Sequence, residues 1–320
     1  MIMQNKRKLG VSDLLVSPIA FGGNVFGWTL DESKSFKILD SFVDAGFNFI
    51  DTADSYSRFA PGNQGGESET IIGKWLKKNG KRKDVIIATK LGSDMGDGKK
   101  GLSAKYMKAA VEASLKRLQI DYIDLYQSHY DDPETSPEET MSAFNDLIKE
   151  GKVRHIGASN FTADRIRQSN DFARKNNLAE YICLQPLYNL YDRQKFETEY
   201  AQLVEDEKLA VIPYYALASG FLTGKYRNDD DLDKSPRGQS VKKKYFNERG
   251  YSILSAMDEV ANALEVPLAQ VAIAWLLHHP LITAPIASAT SEKQLSELLN
   301  STTVRISADH VKMLTEASAY

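Results

Sequence analysis

Cysteine is nearly absent: Cys183 is the only one in 320 residues. One thiol rules out an intrachain disulfide and a cysteine-based zinc site, which fits a reducing, cytoplasmic setting. It lies in the apolar run Tyr181-Ile182-Cys183-Leu184, where a buried, inert thiol is expected. No run of about 18 apolar residues occurs, so no membrane span is expected. Met1 to Lys8 contains no apolar core of a secretory signal. A charge excess is missing too. Forty Lys and Arg against 43 Asp and Glu leave −3, too little to recruit nucleic acid or an anionic membrane. The basic run Lys242-Lys243-Lys244 reads as a solvated loop. P-loop, HExxH, GxSxG and EF-hand patterns are lacking. Gly22-Gly23-Asn24-Val25-Phe26-Gly27 is not G-x-G-x-x-G, which weakens the case for a doubly wound dinucleotide sheet.

What the chain does have is alternation. After a hairpin expected over Arg7 to Ser17, eight short apolar runs alternate with amphipathic ones. The strands begin near Pro18, Phe47, Val85, Ile123, Val153, Ile182, Ala210 and Ile282. Helical faces recur at three-and-four spacing, as in Phe36, Leu39, Phe42 and Val43, or Met107, Val111, Leu115 and Leu118. The connection over residues 220–246 has little periodicity and reads as a long functional or disordered loop. Two helical runs follow it, and another closes the chain. The class is α/β, a (β/α)₈ TIM barrel with an N-terminal hairpin, extra helices after strand seven and one at the C-terminus. All of residues 1–320 are expected to form one domain.

In such barrels the chemistry sits where strands run out into loops. Strand two ends in Asp51, with Tyr56 just beyond. Strand three ends in Lys90 and strand four in His129. Each has a plain structural reading: a cap, a loop aromatic, a solvated end, a satisfied core group. Neighbouring strands lie roughly 5 Å apart, so the four side chains can converge. Packing explains that combination poorly. A phenol with its ordinary pKa near 10 is a weak acid, and a nearby ammonium favours its phenolate. A carboxylate would hold the lysine charged, and a neutral histidine would orient a carbonyl. The set suits proton donation to an oxygen that gains negative charge, as in reduction of C=O, and this requires a hydride donor.

Phe49-Ile50-Asp51-Thr52-Ala53-Asp54-Ser55-Tyr56, Ala88-Thr89-Lys90 and Gln127-Ser128-His129 resemble the tetrad motifs of the aldo-keto reductases. The likeness continues through Gly151 to Phe161, Leu184 to Asn189 and Leu222 to Tyr226. It implies a nicotinamide-dependent carbonyl reductase with Tyr56 as general acid. Lys90 and Asp51 would tune the phenol, and His129 would orient a small carbonyl substrate. It also implies a cofactor site: Gly23 and Asn24 after the first strand, then Ser159, Asn160 and Gln185 at the carboxamide. Tyr214 would stack on the nicotinamide ring. Leu217, Gly220, Lys225 and Arg237 would line the pyrophosphate, and Ser288, Thr290, Lys293 and Gln294 the adenosine phosphate. NADPH is the expected cofactor, with NADH as the alternative.

Departures from the family pattern are Tyr215-Ala216 where Ser-Pro is usual, and Leu298 after Glu297 where Asn is usual. Phe26, Trp28, Phe59 and Tyr130 would form an aromatic wall for aryl or medium-sized apolar aldehydes, or else pack on one another. Asp131 and Asp132 would disfavour acidic substrates. A second reading is a cofactor-bearing regulatory subunit resembling the potassium-channel β subunits. A third, a metal-dependent hydrolase using His129 and Asp51, lacks a second histidine at a neighbouring strand end. No metal site is expected.

Overall fold

The computed structural model describes residues 6–320; most of the N-terminal stretch read for a signal lies outside them. Strand β1 (Arg7–Lys8) pairs antiparallel with β2 (Leu15–Val16), the expected hairpin. Eight parallel strands follow: β3 (Ala20–Gly22), β4 (Phe49–Asp51), β5 (Ile86–Leu91), β6 (Ile123–Ser128), β7 (Val153–Ser159), β8 (Tyr181–Gln185), β9 (Ala210–Val211) and β10 (Ile286–Ala287). They run in sequence order from β3 to β9, with β10 beside β3. The sheet closes on itself between β9 and β10. Thr283 N donates to Val211 O at 2.8 Å, and Ile286 N donates to Pro213 O at 2.9 Å. The predicted (β/α)₈ barrel is present.

Helices α1 (Glu32–Asp44), α2 (Glu67–Asn79), α3 (Ala104–Leu118), α4 (Pro137–Lys149) and α5 (Ala163–Lys175) fall where the apolar spacing put them. Their starts are written locally. Asp31, Ser103, Ser136 and Thr162 each accept from the backbone N–H three residues on, a cap that contributes about 1 kcal/mol. The sixth helix differs from expectation, opening as a π-helical turn over Phe196–Tyr200 before α6 (Ala201–Asp206). The long connection is also more ordered than predicted. It contains 3₁₀ turns over Ala218–Thr223 and Asp229–Lys234 and a helix, α7 (Gly238–Tyr245), whose Val241 and Tyr245 are buried. Lys242 to Lys244 therefore sit on a helix, where Lys242 pairs with Asp229 and Lys244 with Asp192. Helices α8 (Glu248–Leu264), α9 (Leu268–His278), α10 (Glu292–Asn300) and α11 (Ala308–Ala317) complete the chain. No single helix among the described residues is long and apolar enough to cross a membrane.

Strand side chains alternate between two cores. Phe21, Ile50, Ile87, Tyr126, Leu184 and Val211 pack outward against the helices. Ala20, Phe49, Ala88, Leu125, Cys183 and Ala210 fill the barrel, joined by Leu9, Leu14 and Val16 of the hairpin, which stops its lower end. One step further up each strand, the same inward parity delivers Asp51, Lys90, Gln127 and Gln185, all buried. The barrel interior thus changes from apolar to polar within one pleat, at the end where the loops leave.

Candidate active site

Lys90 organises this polar layer. Its Nζ donates to Asp51 Oδ2 at 2.7 Å, to Thr52 O at 2.8 Å and to Tyr56 Oη at 2.7 Å. An ammonium has three hydrogens, and all three are used. Tyr56 Oη in turn donates to Asp51 Oδ2 at 3.1 Å. The other carboxylate oxygen of Asp51 accepts from Gln185 Nε2 at 3.0 Å and from Gln127 Nε2 at 3.4 Å. Lys90 and Asp51 are wholly buried, so the pair survives only because each partner is saturated. His129 stands with its ring edge-on to Tyr56, centroids 6.0 Å apart, and stacked on Tyr130 at 4.9 Å. Its Nδ1 lies 2.9 Å from Ser93 Oγ and 3.4 Å from Ser55 Oγ.

Burial decides the protonation states. It pushes the Tyr56 phenol well above its ordinary range, and the Asp51 carboxylate adds to the effect. This reverses what the lysine alone would do. The phenol therefore keeps its proton at neutral pH, as a proton donor must. Burial pushes Lys90 down, opposed by Asp51. It pushes His129 well below its usual value, with the Lys90 charge adding to this. His129 is thus neutral, with one ring N–H. Ser93 Oγ can donate to Nδ1, a pairing that leaves the hydrogen on Nε2, for which no partner occurs among the described residues.

Tyr56 and His129 line a cavity of about 1380 Å³ that runs over the barrel mouth to the start of α10. Asn24, Ser159, Asn160, Gln185, Tyr214, Leu217, Gly220, Lys225, Arg237, Ser288, Thr290, Lys293 and Gln294 all line it. Several support one another. Tyr214 Oη donates to Asn160 Oδ1 at 2.9 Å, Ser159 Oγ donates to Gln185 O at 2.9 Å, and Ser288 Oγ lies 2.7 Å from both Gly22 O and Asn24 Oδ1. Arg237 is largely buried, yet among the described residues it pairs with no carboxylate; its guanidinium lies 5.0 Å from the Trp28 ring centroid. Tyr215, Ala218, Ser219 and Gly220 all have φ between 48 and 94°, a concentration of left-handed backbone typical of binding sites.

The chain matches the Aldo/keto reductase family over residues 18–319. It belongs to that family. The uncharacterized oxidoreductase YrpG of Bacillus subtilis is 33% identical over 96% of this chain and 94% of its own. The aldo-keto reductase AFTS1 of Alternaria alternata is 34% identical over 97% and 91%. A probable voltage-gated potassium channel subunit beta of Arabidopsis thaliana is 35% identical over 91% and 89%.

The structure departs from the sequence reading at a few places. Gly23 does not line the cavity. A Cβ there would meet Ser68 Oγ at 2.9 Å and Asp51 O at 3.2 Å, so its lack of a side chain serves packing. Phe26 is wholly buried and stacks on Phe21 at 5.4 Å, leaving Trp28, Phe59 and Tyr130 as the wall. Asp131 is bound to Arg165 at 2.9 Å, and Asp132 accepts from Thr135 and Leu102 N. Neither lines the cavity, so their charges do not face a substrate. Gln127 was missed; its parity with His129 was the available signal. Among the described residues no group of three or more His, Cys, Asp or Glu could hold a metal ion.

Proposed function

We propose that the chain reduces aldehydes or ketones to alcohols with NADPH as hydride donor and Tyr56 as general acid. The observation that carries this reading is the shared ammonium: Lys90 Nζ stands 2.7 Å from both the Tyr56 phenol and the Asp51 carboxylate. The residues fit a dinucleotide. Arg237 and Lys225 are cations in the cavity without an acid partner among the described residues, and a largely buried guanidinium calls for an anion. The left-handed residues Tyr215, Ser219 and Gly220 line the same space. Ser288, Thr290 and Gln294 stand by the N-terminus of α10, which suits a phosphate, and Lys293 is the candidate for a 2′-phosphate. When bound, the reduced nicotinamide supplies a hydride to the carbonyl carbon.

The protein supplies the rest. Tyr214 offers a ring for stacking, while Ser159, Asn160 and Gln185 offer polar atoms to a carboxamide. His129 donates from Nε2 to the carbonyl oxygen and orients it. Tyr56 passes its proton to that oxygen as charge builds there. Lys90, already bonded to the phenol oxygen, stabilises the phenolate left behind, and Asp51 keeps the ammonium in place. A cytoplasmic setting belongs to the same reading, since the lone thiol, Cys183, is buried and unpaired.

The test is to mix the protein with NADPH or NADH and a panel of carbonyl compounds, and to follow the absorbance of the reduced nicotinamide. Turnover faster with NADPH is expected. Cofactor binding with no carbonyl reduced would favour a sensor role like that suggested by the channel-subunit relative, and absence of binding would defeat the reading outright.

A further inference from the structure

Tyr215 holds a conformation that its own chemistry disfavours. Its φ is 55°, a left-handed geometry that glycine adopts freely and a bulky aromatic residue adopts only under strain. The strain is imposed by fixed partners. Asn189 Nδ2 donates to Tyr215 O at 3.0 Å, and Ala218 N donates to the same oxygen at 2.7 Å. Burial does not repay it, because the side chain is 50% exposed. A glycine here would stabilise the turn better than the tyrosine does. The ring is therefore kept for what it faces.

It faces the cavity that holds Tyr56 and His129. Tyr215 meets the Tyr214 ring edge-on, centroids 5.3 Å apart. Eight large apolar side chains are exposed among the described residues, and Phe59, Tyr130 and Tyr215 all line this one cavity. Trp28 lines it as well, edge-on to Phe59 at 4.8 Å. Exposed aromatic surface gathered round a single opening marks a binding site for an apolar partner.

We propose that Tyr215 is a specificity-determining residue. With Tyr130, Phe59 and Trp28 it forms an aromatic collar that selects carbonyl compounds bearing a planar ring over compact aliphatic ones. This rests on the carbonyl-reductase reading for its chemistry, though the collar can be tested without turnover. Face and edge contacts to a ring are available only to a ring-bearing substrate.

The experiment compares wild type with Tyr215→Gly, which removes the ring and relieves the backbone, and with Tyr215→Phe, which keeps the ring. The kcat/KM ratio of 4-nitrobenzaldehyde to propanal should fall about tenfold in Tyr215→Gly, through KM, and be retained in Tyr215→Phe. In parallel, 4-nitrobenzyl alcohol and 1-propanol are titrated calorimetrically into the protein saturated with oxidised cofactor. Preference for the aromatic alcohol should track the ring at position 215. If carbonyls are reduced but the Gly variant keeps the wild-type ratio, the collar is wrong and the reductase reading stands. If nothing is reduced but the alcohol preference follows Tyr215, the collar stands and the reductase reading falls. Loss of preference in Tyr215→Phe would also overturn the proposal, since it would assign the effect to the hydroxyl.

Discussion

The guanidinium of Arg237 lies over the indole of Trp28, 5.0 Å from its ring centroid. The two come from opposite ends of the barrel's connectivity: Trp28 follows the first barrel strand, and Arg237 precedes α7 in the connection after β9. One contact thus ties the aromatic wall to a residue proposed to line the pyrophosphate.

Trp28→Ala should therefore weaken NADPH binding although Trp28 is proposed to contact substrate. A cation–π contact contributes about 0.5–2 kcal/mol, so a loss of about two- to thirtyfold is expected. Fluorescence titration with NADPH measures it directly, and an unchanged affinity would mean the contact carries no binding energy.

Tyr56→Phe keeps the ring and removes the donor hydroxyl. Carbonyl reduction should drop by about 10²–10⁴, the contribution of a positioned general acid. Quenching of protein fluorescence by the cofactor should persist. Substantial remaining turnover would hand the proton to another group.

Lys90→Met leaves the Asp51 carboxylate buried with only neutral donors. Removing one partner of a buried pair costs about 3–5 kcal/mol, which urea unfolding would register. Combining it with Asp51→Asn should recover part of the loss, because no unpaired charge then remains in the barrel. If the double variant is as unstable as Lys90→Met, the isolated charge is not the cause.

Asp54 offers a test by pH. It is buried, and its Oδ1 has no hydrogen-bond partner among the described residues. Burial, then the nearby Glu69, pushes its carboxyl from 3.8 up to about 8. Between those values the folded protein retains a proton that the unfolded chain has released. Its contribution to stability must therefore fall as pH rises from about 4 to about 8, and level off beyond. Asp54→Asn should remove that slope: urea midpoints of the variant and wild type should diverge in the variant's favour between about pH 5 and about pH 8. Parallel profiles would show that Asp54 is ionised in the folded state.

The barrel and its central residues were legible because both depend on a period of two. Phe49 and Asp51 share a face, as do Ala88 and Lys90, and Leu125, Gln127 and His129; the same pattern that filled the core delivered the polar layer. Gln127 was equally readable. α7 was not, since Val241 and Tyr245 are its only large apolar residues and lysines surround them. Phe26 and Phe59 look alike in a sequence, yet one stacks on Phe21 and the other stands in the open. Nor can the geometry of Tyr215 be read locally, because Asn189, 26 residues away, fixes its carbonyl.

The hairpin that stops the lower end of the barrel has an electrical consequence. Leu9, Leu14 and Val16, with Phe49, Leu125 and Ile182 above them, keep water from approaching Asp51 and Lys90 from below. Unit charges a few ångströms apart attract several times more strongly when the medium between them is poorly polarisable than when it is bulk solvent. The apolar plug thus strengthens the attraction within an ion pair that it does not itself bond. The barrel behaves as an insulated cup, with its field open only toward the mouth.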